Sequence, residues 1–170
     1  VTSTSGGSGG MIYRFLIAEP HTVDTIDMTG KGPIGITWDH STHMWVVCYT
    51  TTKVVTIPVS GTSIDGSASV GTSPRQVAWD GGLYMYVSNR ISNSVTRVKI
   101  SDLSTTTISS VGNLPFGVAW DGGLYMYVSD SNGTTVTRIL ISTGAKFGSP
   151  ITVGTNPQNI AWDGSSHMYT

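Results

Sequence analysis

Short apolar runs separated by Gly, Asp and Ser recur along the chain from residue 11 to residue 170. FGVAW at 116–120 is one such run, and LYMYVS at 124–129 is rich in β-formers that alternate with the period of a strand. TVTRILI at 135–141 and SPITV at 149–153 follow before the next run. No segment shows a convincing helical period of 3.6 residues. The pattern predicts an all-β protein built from units of four strands.

A turn signal separates the first two strands of each unit. Asp121-Gly122 stands between FGVAW and LYMYVS. An Asp-Gly dipeptide between two strands is a strong hairpin signal, and a two-residue turn of this type needs a positive φ at both positions. We therefore expect a tight hairpin here.

The chain repeats itself. Twelve residues, VAWDGGLYMYVS, occur without a mismatch at 77–88 and again at 118–129. They belong to a longer unit that opens with proline, ends its first strand with Trp-Asp, and occurs four times at Trp spacings of 41, 41 and 42 residues. A period of this size is typical of a four-stranded propeller blade. The four pairs are Trp38-Asp39, Trp79-Asp80, Trp120-Asp121 and Trp162-Asp163.

The last unit contains only its first two strands, in IAWD and SHMYT. The missing strands are found near the N-terminus, where MIYRFLI at 11–17 matches TVTRILI at 135–141. The count predicts a single domain over 1–170, a β-propeller of four blades whose last blade is shared between the N- and C-terminal strand pairs. Residues 1–10 are predicted to be a flexible Gly/Ser/Thr-rich segment. The predicted blades are 33–73, 74–114, 115–156, and 157–170 completed by 11–32.

Three arrangements satisfy the shared blade. One chain closes a four-bladed ring, or two chains form a ring of eight blades. In the third arrangement the N-terminal strand pair completes the last blade of a neighbouring chain, and copies then join head to tail into a filament.

The opening P-F-G-V-A-W-D at 115–121 resembles the first strand of the NHL and YVTN-like β-propeller repeats. YVSN at 86–89 and YVSD at 127–130 are close to the YVTN that names one such group. The resemblance covers residues 11–170 and implies a β-propeller. Because these repeats occur in enzymes, binding modules and scaffolds alike, it implies no particular activity.

Composition narrows the function classes. Charged residues are 11 % of the chain and the net charge is −1, so nucleic acid is not an expected partner. No run approaches the roughly 18 apolar residues of a membrane span. Cys48 is the only cysteine, so the chain has no internal disulfide. A surface poor in charge and rich in Ser, Thr and Gly favours an extracellular or cell-surface location.

Candidate chemistry is sparse. His40, His43 and Asp39 are residues of types that bind metal ions. However, Asp39-His40 occupies the turn position of Asp80-Gly81. Structural zinc also usually takes four ligands. The repeated aspartates are explained as turn residues. Cys48 lies in an apolar run and is expected to be a buried small hydrophobe. We predict no catalytic residue, no metal and no cofactor.

Variation within the repeat gives the binding candidates. The residue after each unit's proline differs, and in a propeller this position lies near the mouth of the central channel. The loops between second and third strands differ too. Large side chains in the first and second strands are expected to fill the wedges between blades. Arginines recur in the third strands and are expected to pair locally, with Thr56 in the remaining unit. The predicted binding residues are Ile34, Arg75, Phe116, Gln158, Arg90 and Asn132, and the recurring arginines are Arg14, Arg97 and Arg138.

These observations favour a non-enzymatic extracellular scaffold. It is expected to assemble with itself as a homo-oligomer or a head-to-tail polymer, in its sharpest form as a filament subunit. Another protein or a glycan is a further expected partner. The alternatives are a propeller enzyme of lyase or lactonase type, and a propeller that binds a ligand such as a carbohydrate.

Overall fold

The structure of the chain is a computed structural model that describes residues 2–4 and 10–170. These residues form eighteen strands in five antiparallel sheets and contain no helix. None of the described residues therefore belongs to a helix long and apolar enough to cross a membrane.

The sheets follow one another in chain order. The first sheet has β1 (Thr2–Thr4), β2 (Gly10–Phe15) and β3 (Val23–Asp27). The second has β4 (Pro33–Trp38), β5 (His43–Cys48), β6 (Lys53–Pro58) and β7 (Gly66–Ser69). The third has β8 (Pro74–Trp79), β9 (Tyr84–Asn89), β10 (Ser94–Lys99) and β11 (Thr105–Ser109). The fourth has β12 (Pro115–Trp120), β13 (Tyr125–Asp130), β14 (Thr135–Leu140), β15 (Ala145–Lys146) and β16 (Ile151–Thr152), and the fifth has β17 (Ala161–Trp162) and β18 (Met168–Tyr169).

The strand pattern predicted from 116–153 is found in the fourth sheet, with one difference. The outermost strand is divided into β15 and β16, and both pair with β14. The residues between them include Gly148, whose φ of 64° lies in the left-handed region, and Pro150, which has no N–H for a strand ladder.

Neighbouring sheets pack face to face and share apolar clusters. Between the third and fourth sheets, Tyr86 and Val95 contact Met126 and Ile139 in one cluster. The second strand thereby has two different sides, because its methionine faces the preceding sheet and the aromatic residue after it faces the next one. Four members of the second-strand pairs therefore fill the wedges between sheets, as the sequence predicts, whereas Tyr169 is 63 % exposed: Trp45, Met85, Tyr86 and Met126.

The first-strand tryptophans fill these wedges only in part. Trp79 and Trp120 are half-buried and pack against the apolar clusters between sheets, whereas Trp38 is 43 % exposed and Trp162 is 36 % exposed. Each lies at the end of its strand, where the chain leaves the sheet for a turn.

The first and fifth sheets remain separate, and no sheet of the described residues closes on itself. The four-blade count and the blade shared between the termini therefore stay predictions. Within the segment 1–10, residues 1 and 5–9 lie outside the described residues. Of the remainder, β1 pairs with β2, and Gly10 begins β2.

Candidate functional site

The Trp-Asp pairs lead into turns that the aspartate organises. Asp80 Oδ1 accepts hydrogen bonds from the backbone N–H of Gly82 at 2.9 Å and of Tyr84 at 3.1 Å. The Asp80 N–H in turn donates to the Tyr84 carbonyl at 3.1 Å, which closes a loop of five residues. Asp163 has the same role, and the backbone N–H groups of His167 and Ser165 hold the pKa of its carboxyl below the usual range.

This loop corrects the predicted two-residue hairpin. Of the two residues in the predicted turn only the glycine has a positive φ, 78° at Gly81 and 75° at Gly122, and neither Asp80 nor Asp121 has one. The aspartate side chain satisfies the turn's N–H groups, so a second left-handed residue is not needed. His40 stands in the same position with a φ of 57°.

Each of these first glycines also provides the seat for a tryptophan of the next sheet. A Cβ at Gly81 would lie 2.0 Å from Trp120 Cη2, and one at Gly122 would lie 2.1 Å from Trp162 Cη2. In the second sheet the seat is His40, whose ring stacks on Trp79 with centroids 4.7 Å apart and on Trp38 at 4.5 Å. Trp79 and Trp120 also approach each other, with ring centroids 6.1 Å apart. The aromatic residues that line this side of the sheets are here called the tryptophan row: Trp38, His40, Trp79, Trp120 and Trp162.

The tryptophan row and the first strands line a surface groove that also contains Ile36, Gln76 and Val118. The indole N–H groups of Trp79 and Trp120 already donate to the carbonyls of Gly82 and Gly123 at 3.1 Å each. The groove therefore contains two indole rings whose N–H groups are already hydrogen-bonded.

The residues after the prolines lie at the opposite ends of the first strands. Arg75 and Phe116 are brought together, with the Arg75 guanidinium carbon 5.8 Å from the Phe116 ring centroid and 4.8 Å from that of Tyr49. Ile34 instead packs against the core between the second and third sheets. Gln158 is exposed and lines a shallow depression.

Arg75 is a cation without an acceptor. No described residue accepts a hydrogen bond from its guanidinium, and its Nε is buried. Two aromatic rings hold the group by cation–π contacts. A half-buried guanidinium fixed in this way is able to bind an anionic group.

Two of these residues also join sheets through their carbonyl groups, a role that was not predicted. The Ser88 hydroxyl donates to the Phe116 carbonyl of the next sheet at 2.5 Å, and the Ser129 hydroxyl donates to the Gln158 carbonyl. The signal was present, because a serine stands at the same position in both YVS strands.

The two loop candidates hold their loops through backbone contacts. The Arg90 N–H donates to the Ser73 carbonyl at 2.9 Å, and the Asn132 N–H donates to the Asn113 carbonyl at 3.1 Å. Both lie between a second and a third strand, and Asn132 is exposed. Their side chains stay candidates for binding.

The third-strand arginines reach further than predicted. Arg14 pairs with Asp24 at 2.6 Å, but it also donates to the Val59 carbonyl of the second sheet at 2.9 Å. Arg97 donates to the Ile141 carbonyl of the fourth sheet at 2.8 Å. Each arginine therefore binds the turn after the third strand of the next sheet. We call this contact the arginine clamp.

Arg138 lies at the same position in the fourth sheet without such an acceptor. Its guanidinium carbon is 5.5 Å from the Phe147 ring centroid and 5.8 Å from that of Tyr125. Its Nε is buried, and no hydrogen-bond acceptor for the guanidinium exists among the described residues. Thr56 replaces the arginine in the second sheet and donates to Asp65 within that sheet at 2.6 Å.

The remaining candidate chemistry is local. His43 Nε2 lies 2.8 Å from Asp65 Oδ2. The described part of the chain contains no group of three or more His, Cys, Asp and Glu side chains that could hold a metal ion. Cys48 is buried, and burial raises the pKa of its thiol to about 11.

One face of the first sheet is exposed to solvent, whereas the corresponding faces of the second, third and fourth sheets are buried. Tyr13 and Phe15 of β2 are 44 % and 56 % exposed. At the equivalent positions of the third sheet, Thr96 and Val98 are buried against the preceding sheet. The second and fourth sheets show the same burial at Val55, Ile57, Thr137 and Ile139.

Comparison with known proteins gives the fold and nothing finer. No family model and no curated protein matches the chain. Among solved structures, it is 14 % identical to a streptogramin B lyase, with a TM-score of 0.77 over 98 % of this chain and 59 % of that one. It is 22 % identical to hydrazine synthase of Kuenenia stuttgartiensis (TM-score 0.71, over 76 % of this chain and 38 % of that one). The Swd1 β-propeller domain of Myceliophteria thermophila is 10 % identical (TM-score 0.69, over 92 % and 57 %).

The chain therefore spans less than two thirds of the length of each of these structures. Identities this low carry no information about activity or ligands. What they share with this chain is the arrangement of antiparallel sheets, and on that ground the chain has a β-propeller fold.

Proposed function

We propose that this chain is a non-enzymatic scaffold that assembles with further copies of itself by packing sheet against sheet. The observation that carries the proposal is the exposed face of β2, with Tyr13 and Phe15 at positions that are buried in the three following sheets. A surface built like the inside of a sheet-to-sheet interface is expected to bind another sheet.

The exposed rings make this packing favourable. An aromatic side chain buries about 150–250 Å² when it is covered. Covering the exposed half of each ring at about 25 cal/mol per Å² contributes roughly 2–3 kcal/mol per ring. Met11 and Val23 of the same sheet are also exposed and add to the apolar area. A net charge of −1 leaves little repulsion between copies.

Head-to-tail addition is the form of assembly that we favour, with a filament as its extended product. Head-to-tail addition uses one sheet face at each end of the chain, and repeated addition of copies needs no other kind of contact. The low content of charged residues and the Ser/Thr/Gly-rich composition support an extracellular location for such a polymer.

Light scattering and electron microscopy over a concentration series test the proposal. We expect oligomers or filaments of the unaltered chain, and a shift to monomers for the double variant Tyr13→Ser, Phe15→Ser. The matched control is Leu83→Ser, Leu124→Ser, since both leucines are 64 % exposed but lie in the Asp-Gly turns. A chain that stays monomeric at millimolar concentration would refute self-assembly.

Arg75 favours a second candidate, a propeller that binds an anionic ligand. Its guanidinium is held between Tyr49 and Phe116 and has no protein acceptor among the described residues. Titration with acetate and with inorganic phosphate, followed by NMR, should shift resonances around this pocket. The shifts should vanish in Arg75→Gln and persist in Lys99→Gln, which removes a surface positive charge paired with Asp102.

The enzyme alternative has its own test. A streptogramin B lyase is among the similar structures, so a streptogramin B is a reasonable substrate to offer. We expect its retention time in reversed-phase chromatography and its absorbance spectrum to remain unchanged after long incubation with the chain. Turnover that depends on enzyme concentration would replace the scaffold proposal by a lyase.

A further inference from the structure

A second groove, here called the lysine groove, lies at the junction of the first and second sheets. It forms where the linker after β3 passes β6 and β7. Its lining residues lie between 29 and 67, so neither end of the sequence contributes to it. Its volume is about 370 Å³, which is within the usual range for a small-molecule site.

Two lysines bring positive charge to the lysine groove. Lys31 and Lys53 both line it, and Lys31 is half-buried. Among the described residues, no carboxylate oxygen lies within 4 Å of either ammonium group. Asp27 is close in sequence, but its Oδ1 accepts from the Thr29 hydroxyl at 2.5 Å and from the Thr29 N–H at 2.8 Å. The two ammonium groups are therefore able to bind an anion from solution.

The backbone holds Lys31 in place. Its N–H donates to the Met28 carbonyl at 2.9 Å, and its carbonyl accepts from the Thr50 N–H at 3.2 Å. Four residues separate Met28 from Pro33, whereas three separate the equivalent residue from its proline in each of the other linkers. The equivalent residues are those whose N–H donates to a carbonyl at the start of the third strand: Met28, Val70, Val111 and Val153. The linker with the additional residue is thus the one that carries Lys31.

The next two junctions between sheets lack these charges. The residues at the two lysine positions are uncharged there: Thr72 and Ser94 at one junction, and Asn113 and Thr135 at the next. The repeat therefore folds without a lysine at either position. A structural need of the sheets does not explain the pair, which makes a ligand the better explanation.

The floor of the lysine groove is apolar. Val55 is buried, and Ile64 is half-buried and packs against the core cluster that contains Val55. The hydroxyl side chains of Thr51 and Ser67 also line the groove, and Lys53 Nζ lies 3.5 Å from the Ser67 hydroxyl. An apolar lining with a few polar groups that fix orientation is typical of sites for small organic molecules.

We propose that the lysine groove binds a small organic carboxylate. Its anionic group lies between the ammonium groups of Lys31 and Lys53, and its apolar body covers Val55 and Ile64. The inference does not depend on self-assembly. The lysine groove is also separate from the pocket of Arg75, whose guanidinium lies against Tyr49 and Phe116.

Three small molecules test the ligand class: benzoate, acetate and benzyl alcohol. Acetate has the charge without the apolar ring, and benzyl alcohol has the ring without the charge. Saturation-transfer NMR measures binding on the ligand, so it applies to single chains and to polymers alike. We expect benzoate to bind roughly tenfold more tightly than either of the others, because it alone fills both parts of the groove.

Variants of the four lysines locate the site. The double variant Lys31→Gln, Lys53→Gln should weaken benzoate binding by roughly tenfold or more, the usual effect of losing charged hydrogen bonds. The matched control is Lys99→Gln, Lys146→Gln, which removes the same charge from lysines that have partners. Lys99 pairs with Asp102 at 3.3 Å, and Lys146 donates to the Ser110 carbonyl at 3.0 Å. This control should bind benzoate like the unaltered chain.

Two further variants complete the test. Ile64→Ser should weaken the binding of benzoate and leave that of acetate unchanged, because it alters the apolar floor alone. Benzoate binding should persist in Arg75→Gln, in which the other anion pocket is removed. Circular dichroism confirms that each variant is folded.

Each part of the proposal has a result that would overturn it. Absence of saturation transfer to benzoate would overturn the site, and equal binding of benzoate and acetate would overturn the apolar part of the ligand. Equal loss of binding in the two double-lysine variants would show a general effect of charge and overturn the role of Lys31 and Lys53. Binding that disappears in Arg75→Gln would assign the ligand to that pocket. A chain that binds benzoate but never associates would refute the scaffold proposal and leave this one standing.

Discussion

Gly81 should tolerate no side chain, whereas its neighbour Gly82 should accept one. An alanine at Gly81 would have to adopt a φ near 78° and would place its Cβ 2.0 Å from Trp120 Cη2. The left-handed conformation costs roughly 1–2 kcal/mol for an L-residue. Displacing a packed ring costs about 1–3 kcal/mol more. We expect Gly81→Ala to lower the free energy of unfolding by about 2–5 kcal/mol.

Gly82→Ala is the matched control, since its Cβ would meet only Asp80 Oδ1 at 3.6 Å, an ordinary contact, and its φ is not positive. Its effect should be within about 0.5 kcal/mol. Urea denaturation followed by indole fluorescence and circular dichroism measures both variants. In a Trp120→Ala background the steric part disappears, so Gly81→Ala should then cost only the roughly 1–2 kcal/mol of the backbone. Equal free energies of unfolding for Gly81→Ala and Gly82→Ala would refute the close packing of Trp120 against Gly81.

Three further results are expected. Asn89 is buried, accepts from the Gly71 N–H at 3.0 Å and donates to Thr96 Oγ1 at 2.9 Å, so Asn89→Ala should destabilise the fold by about 2–4 kcal/mol in urea titrations. The Thr56 hydroxyl, and after it His43, holds the pKa of Asp65 below its usual value. The stabilisation from this lowered pKa is fully present above the unfolded pKa of about 3.9 and is lost as the pH falls through the lower folded pKa. The urea midpoint of Asp65→Asn should therefore change less over this pH range than the midpoint of the unaltered chain. Cys48, with its pKa raised to about 11, should not react with a thiol reagent until the chain is unfolded.

The fold could be predicted from the sequence because the patterns that indicate it are local. The period of the Trp-Asp pairs and the short alternating runs depend on neighbours within one sheet, and the strands lie where those runs lie. The contacts between sheets could not be predicted from the sequence. Trp120 and Gly81 are far apart in sequence, and only the packing of consecutive sheets brings them together. For the same reason the arginines were expected to pair locally, whereas Arg97 binds the next sheet.

The candidate site was predicted in part. The residues after the prolines were treated as one set, yet Ile34 lies in the core and Arg75 lies between two rings. The pairing of the first strand does not distinguish the two positions, because its register shifts by one residue in both sheets, between Pro33 and Gly35 and between Pro74 and Val77. The difference lies in the side chains, since an apolar isoleucine packs against the core whereas a guanidinium stacks on two aromatic rings.

The two unlike sides of each second strand give any assembly of this chain a direction. In the third sheet Met85 faces the second sheet and Tyr86 faces the fourth, so the two faces of the sheet differ. An assembly that repeats the packing between neighbouring sheets would join unlike faces, and every copy added in this way would point in the same direction. A growing polymer would have two chemically different ends, each with its own rate of addition. A binder directed at Tyr13 and Phe15 would therefore stop growth at one end and leave the other free.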